Sequence, residues 1–102
     1  MDRKVKKRQP ERGLIAAARR RARQRLEFAQ TMLAIHLANH EGRPEAAVES
    51  RVGHLDEHLR WDAEFTEKIV RGAARRGLLV ERAGLLELTP RGRELAQDAV
   101  AS

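Results

Sequence analysis

Four histidines fall in two pairs at i,i+4, His36/His40 and His54/His58. On a helix that spacing sets both imidazoles of a pair on one face, where their ring nitrogens could share a divalent cation. Glu41, Asp56 and Glu57 lie nearby, and the run His54 to His58 fits the H-x-x-E-H pattern of inverted zinc peptidases. A catalytic zinc also needs a third protein ligand, an open coordination position and a substrate cleft. A chain of 102 residues has little room for a cleft. The expectation is therefore polar-face histidines, with His54 and His58 the candidates for a regulatory metal. The absence of Cys excludes a disulfide framework, a thiolate nucleophile and a cysteine zinc site, and fits a reducing cytoplasm. No Gly-rich phosphate loop and no Ser/His/Asp arrangement stands out. The sequence predicts no enzyme: no catalytic residue, no cofactor and no small-molecule substrate.

Charge is the second candidate chemistry. The net charge is +6, from 21 Lys/Arg against 15 Asp/Glu. Residues 1–25 hold eleven Lys/Arg against Asp2 and Glu11, a balance of +9; residues 26–102 hold ten against thirteen, a balance of −3. The positive excess therefore lies in the first quarter, and a high isoelectric point does not describe the rest. Three readings of the basic segment stay open: contact with nucleic-acid phosphates, contact with anionic lipid headgroups, or a solvated charge run. Arg19, Arg20, Arg21 and Arg23 are the candidate lipid or phosphate contacts. The accompanying apolar stripe of Leu14, Ile15, Ala18 and Ala22 is too rich in alanine to anchor a membrane by itself. No apolar run approaches the roughly 20 residues that span a bilayer, and the start lacks the apolar stretch of a secretory signal. These features predict a cytoplasmic chain.

The elements that would position these groups follow from periodicity and punctuation. Residues 1–11 are charged, with one Pro and almost nothing to bury, and read as disordered or as a tether. From Arg12 to about Glu41, Leu14, Ile15, Ala18, Ala22, Leu26, Ala29, Leu33 and Leu37 recur at helical steps. Gly42 suits the stop and Pro44 can open a next helix, with Ala47, Val48, Val52, Leu55 and Leu59 inward. Asp62 is a good N-cap for a helix over 63–76, with Phe65, Ile69, Val70 and Ala73 inward. Trp61 is expected at the junction of these two helices. Gly77 signals that third helix's end. Residues 78–88 read as a hairpin turning at Ala83-Gly84, and Thr89-Pro90 opens a last helix. The core must be aliphatic, because the chain has two Phe, one Trp and no Tyr.

That order, with the run Ala74–Ala96 ("ARRGLLVERAGLLELTPRGRELA"), resembles the end of winged-helix regulators of the diphtheria-toxin-repressor and MarR types. The resemblance implies a mainly α fold with a small β-hairpin: a winged helix-turn-helix with a long N-terminal helix over 26–102, behind a basic lead-in over 1–25 that is partly disordered, then helical. The runs Glu11–Gly42 and Glu57–Leu79 also resemble the cytoplasmic C-terminal tail of bacterial manganese/zinc/iron ABC transporter permeases. This implies a regulatory or interaction domain at the cytoplasmic face of the inner membrane, partnered by transporter subunits or the membrane surface. Lacking spans, such a chain would not transport by itself and is expected to be a detached tail, a fragment or a split gene product. The alternative is a small winged-helix transcriptional regulator, metal-responsive and dimeric through the first helix. It would contact DNA through Lys68, Arg71 and Arg75 on the recognition helix and Arg82 in the wing. Against it, the outward positions at that helix's start are Ala63, Glu64 and Glu67, where DNA readers need donors and cations.

Overall fold

The computed structural model describes residues 2–41, 43 and 59–101, with side chains from residue 12 onward. Among them the chain is mainly helical with one two-stranded antiparallel hairpin, as the sequence predicts. The elements are α1 (Asp2–His40), α2 (Ala63–Arg75), β1 (Leu79–Arg82), β2 (Leu85–Leu88) and α3 (Pro90–Ala101). The helix expected from Pro44, with Ala47, Val48, Val52 and Leu55, lies outside the described residues, as do His54 and His58. Leu59 is half-buried and packs on the core.

α1 begins at Asp2, ten residues before its apolar stripe would place it. Lys, Arg, Gln and Glu are good helix formers and allow the backbone to run on without anything to bury. At 1.5 Å per residue its 39 residues reach about 58 Å, which sets the long dimension of the molecule, 67 Å. Its C-terminal third builds the core: Ala29, Leu33, Ala34 and Leu37 bury against Ile69, Val70 and Ala73 of α2. The same core takes Leu78, Leu79, Leu86 and Leu88 around the hairpin and Ala96 of α3. Leu33 and Ile69 are completely buried, and each such side chain contributes about 1.5–3 kcal/mol.

Local signals set the ends of α2. The Asp62 carboxylate accepts from the Phe65 N–H at 2.7 Å, the N-cap that the sequence predicts. Thr66, which the sequence does not single out, is buried and donates its hydroxyl to the Asp62 carbonyl at 3.0 Å. At the other end Gly77 (φ +74°) donates to Ala74 at 3.0 Å and Leu78 to Ala73 at 2.9 Å. These two bonds are the paired closure of a Schellman C-cap. The chain leaves this cap directly into β1.

β1 and β2 pair in the register Leu79↔Leu88 through Arg82↔Leu85, leaving Ala83-Gly84 as a two-residue turn. Both turn residues have positive φ, +52° and +81°, as the primed turn of a tight hairpin requires. Thr89 then ties the hairpin's exit to its entry. Its N–H donates to the Leu78 carbonyl at 3.0 Å and its hydroxyl to the Gly77 carbonyl at 2.5 Å. The same hydroxyl oxygen accepts the Gly92 N–H at 3.1 Å, capping α3 with Pro90 in its first turn. Gly92 is buried, and a Cβ there would overlap the Leu78 carbonyl oxygen.

Two substitutions test this account. Gly92→Ala pushes α3 off a backbone carbonyl that cannot swing away, so a loss of about 3 kcal/mol is expected in urea unfolding; a loss below about 1 kcal/mol would show that α3 does not need the close approach. Ala83→Asn relieves a left-handed alanine, and a gain of about 0.5–1 kcal/mol is expected by the same measurement.

Candidate interaction surfaces

Among the described residues the cations proposed from the sequence for DNA divide between two surfaces. Lys68, Arg71 and Arg75 stand at i, i+3 and i+7 on α2, forming one exposed stripe. Arg82 ends β1 beside the turn and belongs to the hairpin tip instead. The stripe is not free of acid. Arg71 is engaged by Glu67 in an i,i+4 ion pair, and Glu64 and Ala63 are exposed at the helix start. With Asp62 capping, the end of α2 that would enter a groove in a helix-turn-helix reader carries carboxylates.

Arg19, Arg20, Arg21 and Arg23 are all exposed on α1. At 100° per residue, neighbours one or two positions apart circle the helix and do not line one side. Arg23 differs from the other three. With Arg25, Ala22 and Leu26 it lines a groove of about 620 Å³ whose other wall is Asp62, Phe65 and Lys68. The apolar residues of this half of α1 have no cover: Leu14 is 69% exposed and Ile15 54%. Phe28, which the sequence reading passes over, is 69% exposed. A phenylalanine off the inward stripe was the available signal.

The remaining polar groups hold the fold together. His36 corrects the expectation of polar-face histidines: it is buried. His40 is half-buried, and the two rings meet edge to face with centroids 4.8 Å apart. Glu41, considered with the histidines as a neighbouring acid, is engaged by Arg93 of α3. The guanidinium donates from Nη2 at 2.7 Å and from Nε at 3.0 Å. This hydrogen bonding, followed by the charge attraction of Glu41, raises the Arg93 pKa above its ordinary value. Among the described residues no three His, Cys, Asp or Glu gather as a metal site.

Gln30 is buried at the crossing of α1 and α2, where it accepts from Arg76 at 2.5 Å. It lies so close to Gly72 that a Cβ there would collide with its amide. Trp61 is half-buried and packs its ring at right angles to Phe65, centroids 6.1 Å apart.

No protein-family model matches the chain, and no solved structure matches it. The chain is 41% identical over 73 residues to the zinc transport system membrane protein TroD of Treponema pallidum (strain Nichols). The match covers 72% of this chain and 20% of that protein, so the chain spans about a fifth of the relative's length. No helix among the described residues is long and apolar enough to cross a membrane. The chain is thus related in sequence to a membrane protein of a metal-transport system.

Proposed function

We propose that this chain is a non-catalytic regulatory or interaction domain of winged-helix type, serving a metal-ion transport system at the cytoplasmic face of the inner membrane. The single observation that carries the reading is the 41% identity to TroD. The winged-helix label is supported by the succession of a capped helix, a tight hairpin and a closing helix around one core. The division into a lead-in over 1–25 and a domain over 26–102 is supported by burial along α1. Side chains from Arg12 to Arg25 are almost all exposed, Leu26 packs on the core, and Ala29 is the first apolar residue fully buried. Transporter subunits or the membrane surface are the partners of this reading, with Arg19, Arg20, Arg21 and Arg23 toward lipid or phosphate. A second copy docked along α1 is the further partner that exposed Leu14, Phe28 and Met32 would suit.

A DNA-binding regulator is the second reading, and the exposed stripe of Lys68, Arg71 and Arg75 with Arg82 favours it. The carboxylates at the start of α2 oppose it, because they would face phosphates. A gel-shift titration at low and moderate salt separates the two. The expected result is weak retention at low salt, competed by random DNA and lost at moderate salt, since a diffuse basic segment binds by counterion release. Capture of the cognate transporter's ATPase subunit by the chain is expected in parallel. Sequence-specific retention that random DNA fails to compete, without ATPase capture, would overturn the transport reading.

The ion pair on α2 supplies a sharper check. Glu67→Gln removes a carboxylate and releases Arg71, so random-sequence DNA should bind about two- to fivefold more tightly at low salt, with a steeper salt slope. An unchanged slope would show that the α2 stripe does not approach DNA in any mode.

A further inference from the structure

We infer that the groove between α1 and the start of α2 is a binding site for a phosphate-bearing amphiphile, held by Arg23, Arg25 and Lys68 over an apolar floor. The inference rests on the membrane-face reading only for the natural source of the phosphate; the site itself rests on the groove. Three observations carry it.

First, the groove gathers cations from two elements. Arg23 and Arg25 come from α1 and Lys68 from α2, 43 positions beyond Arg25. Arg19, Arg20 and Arg21 have no place in it, so this is more than a sample of a basic run. Asp62 also lines the groove. One of its oxygens is occupied by the Phe65 N–H, and three cations against one carboxylate leave the site at about +2. Guanidinium forks suit the tetrahedral oxygens of phosphate, and a lysine adds a point charge.

Second, the floor is apolar. Ala22, Leu26 and Phe65 line the groove along with the cations. A bare inorganic anion makes no use of such a floor, whereas the glycerol and first methylenes of a lipid do. The floor also continues the line of Ile15 and Ala18 along α1, both exposed, which gives an acyl chain a direct exit from the groove.

Third, the volume of about 620 Å³ is that of a small-ligand site. An acidic helix of several turns would need a longer trough. The size therefore favours an amphiphile over a peptide of the same charge.

The test uses the full chain and two charge-matched double variants. Arg25→Ala with Lys68→Ala removes two groove cations; Arg20→Ala with Arg75→Ala removes two cations outside it. All four residues are exposed, so thermal melting should match the parent, and paired glutamine variants replace any that does not. Three probes are titrated by calorimetry: inorganic phosphate, a short-chain phosphatidylglycerol below its micelle concentration, and vesicles of phosphatidylglycerol diluted in phosphatidylcholine. The groove double is expected to lose about tenfold in affinity for the short-chain lipid, and the control less than twofold. If inorganic phosphate binds as tightly as the short-chain lipid and shows the same groove-dependent loss, the amphiphile is overturned and the occupant is a soluble phosphate. If the two doubles lose equally, or if none of the three probes binds, the site is overturned and only diffuse charge remains. If a polyglutamate peptide binds through the groove while the phosphate probes fail, the occupant is an acidic segment and the amphiphile is overturned. ATPase capture by the groove double keeps the two proposals apart: it persists if only the groove assignment fails.

Discussion

Thr89 and Gly92 make a single close approach on which the arrangement of α2, the hairpin and α3 depends. The Thr89 backbone and hydroxyl close on Leu78 and Gly77, and its oxygen also receives the Gly92 N–H. The end of one helix, the start of another and both ends of the hairpin thus meet within a few residues. Only a residue without a Cβ fits at position 92, because the Leu78 carbonyl occupies the space. With the approach made, Leu78, Leu79 and Leu88 turn into the core, and Ala96 meets them from α3. A larger separation would expose these leucines together, so the junction is worth more than its three hydrogen bonds.

Where residues act on their own chain neighbours, the structure was legible beforehand. The Asp62 cap, the Gly77 closure, the Ala83-Gly84 turn and the Thr89-Pro90 opening are each set by a local dihedral or by a hydrogen bond that spans three or four residues. Contacts between distant segments were not legible. Nothing around Gly92 announces Leu78 as its neighbour, and the pairing of Glu41 with Arg93 joins positions 52 apart. Gln30 reads as a surface residue on a basic helix until Gly72 and Arg76 close over it. His36 lies beside the stripe predicted for the buried face and is itself buried, which periodicity alone does not reveal.

The charged surfaces divide in the same way. Summing charge along the chain locates the positive excess in residues 1–25, and the side chains from Arg12 to Arg25 are almost all exposed. Charge summation also draws attention to the acid at the start of α2. It cannot distinguish Arg23 and Arg25 from Arg19, Arg20 and Arg21, since all five belong to one run. The distinction comes from Lys68 and Phe65, which the fold of α2 brings across from another part of the chain.

One helix performs both tasks, and this restricts how the lead-in can act. α1 continues without interruption from its arginines into Leu33 and Leu37. The basic segment from Arg12 onward is therefore an extension of the core at a fixed angle. A flexible basic tail gains affinity by sampling many anionic partners, whereas a helical extension loses that freedom and gains a defined orientation. If the basic end lies along a charged surface, the direction of α1 also sets which side of the α2 stripe and hairpin tip faces away. Glu64 stands one turn before Lys68 on α2 and so borders the groove that Lys68 shares with Arg23, whereas Arg82 belongs to the hairpin tip.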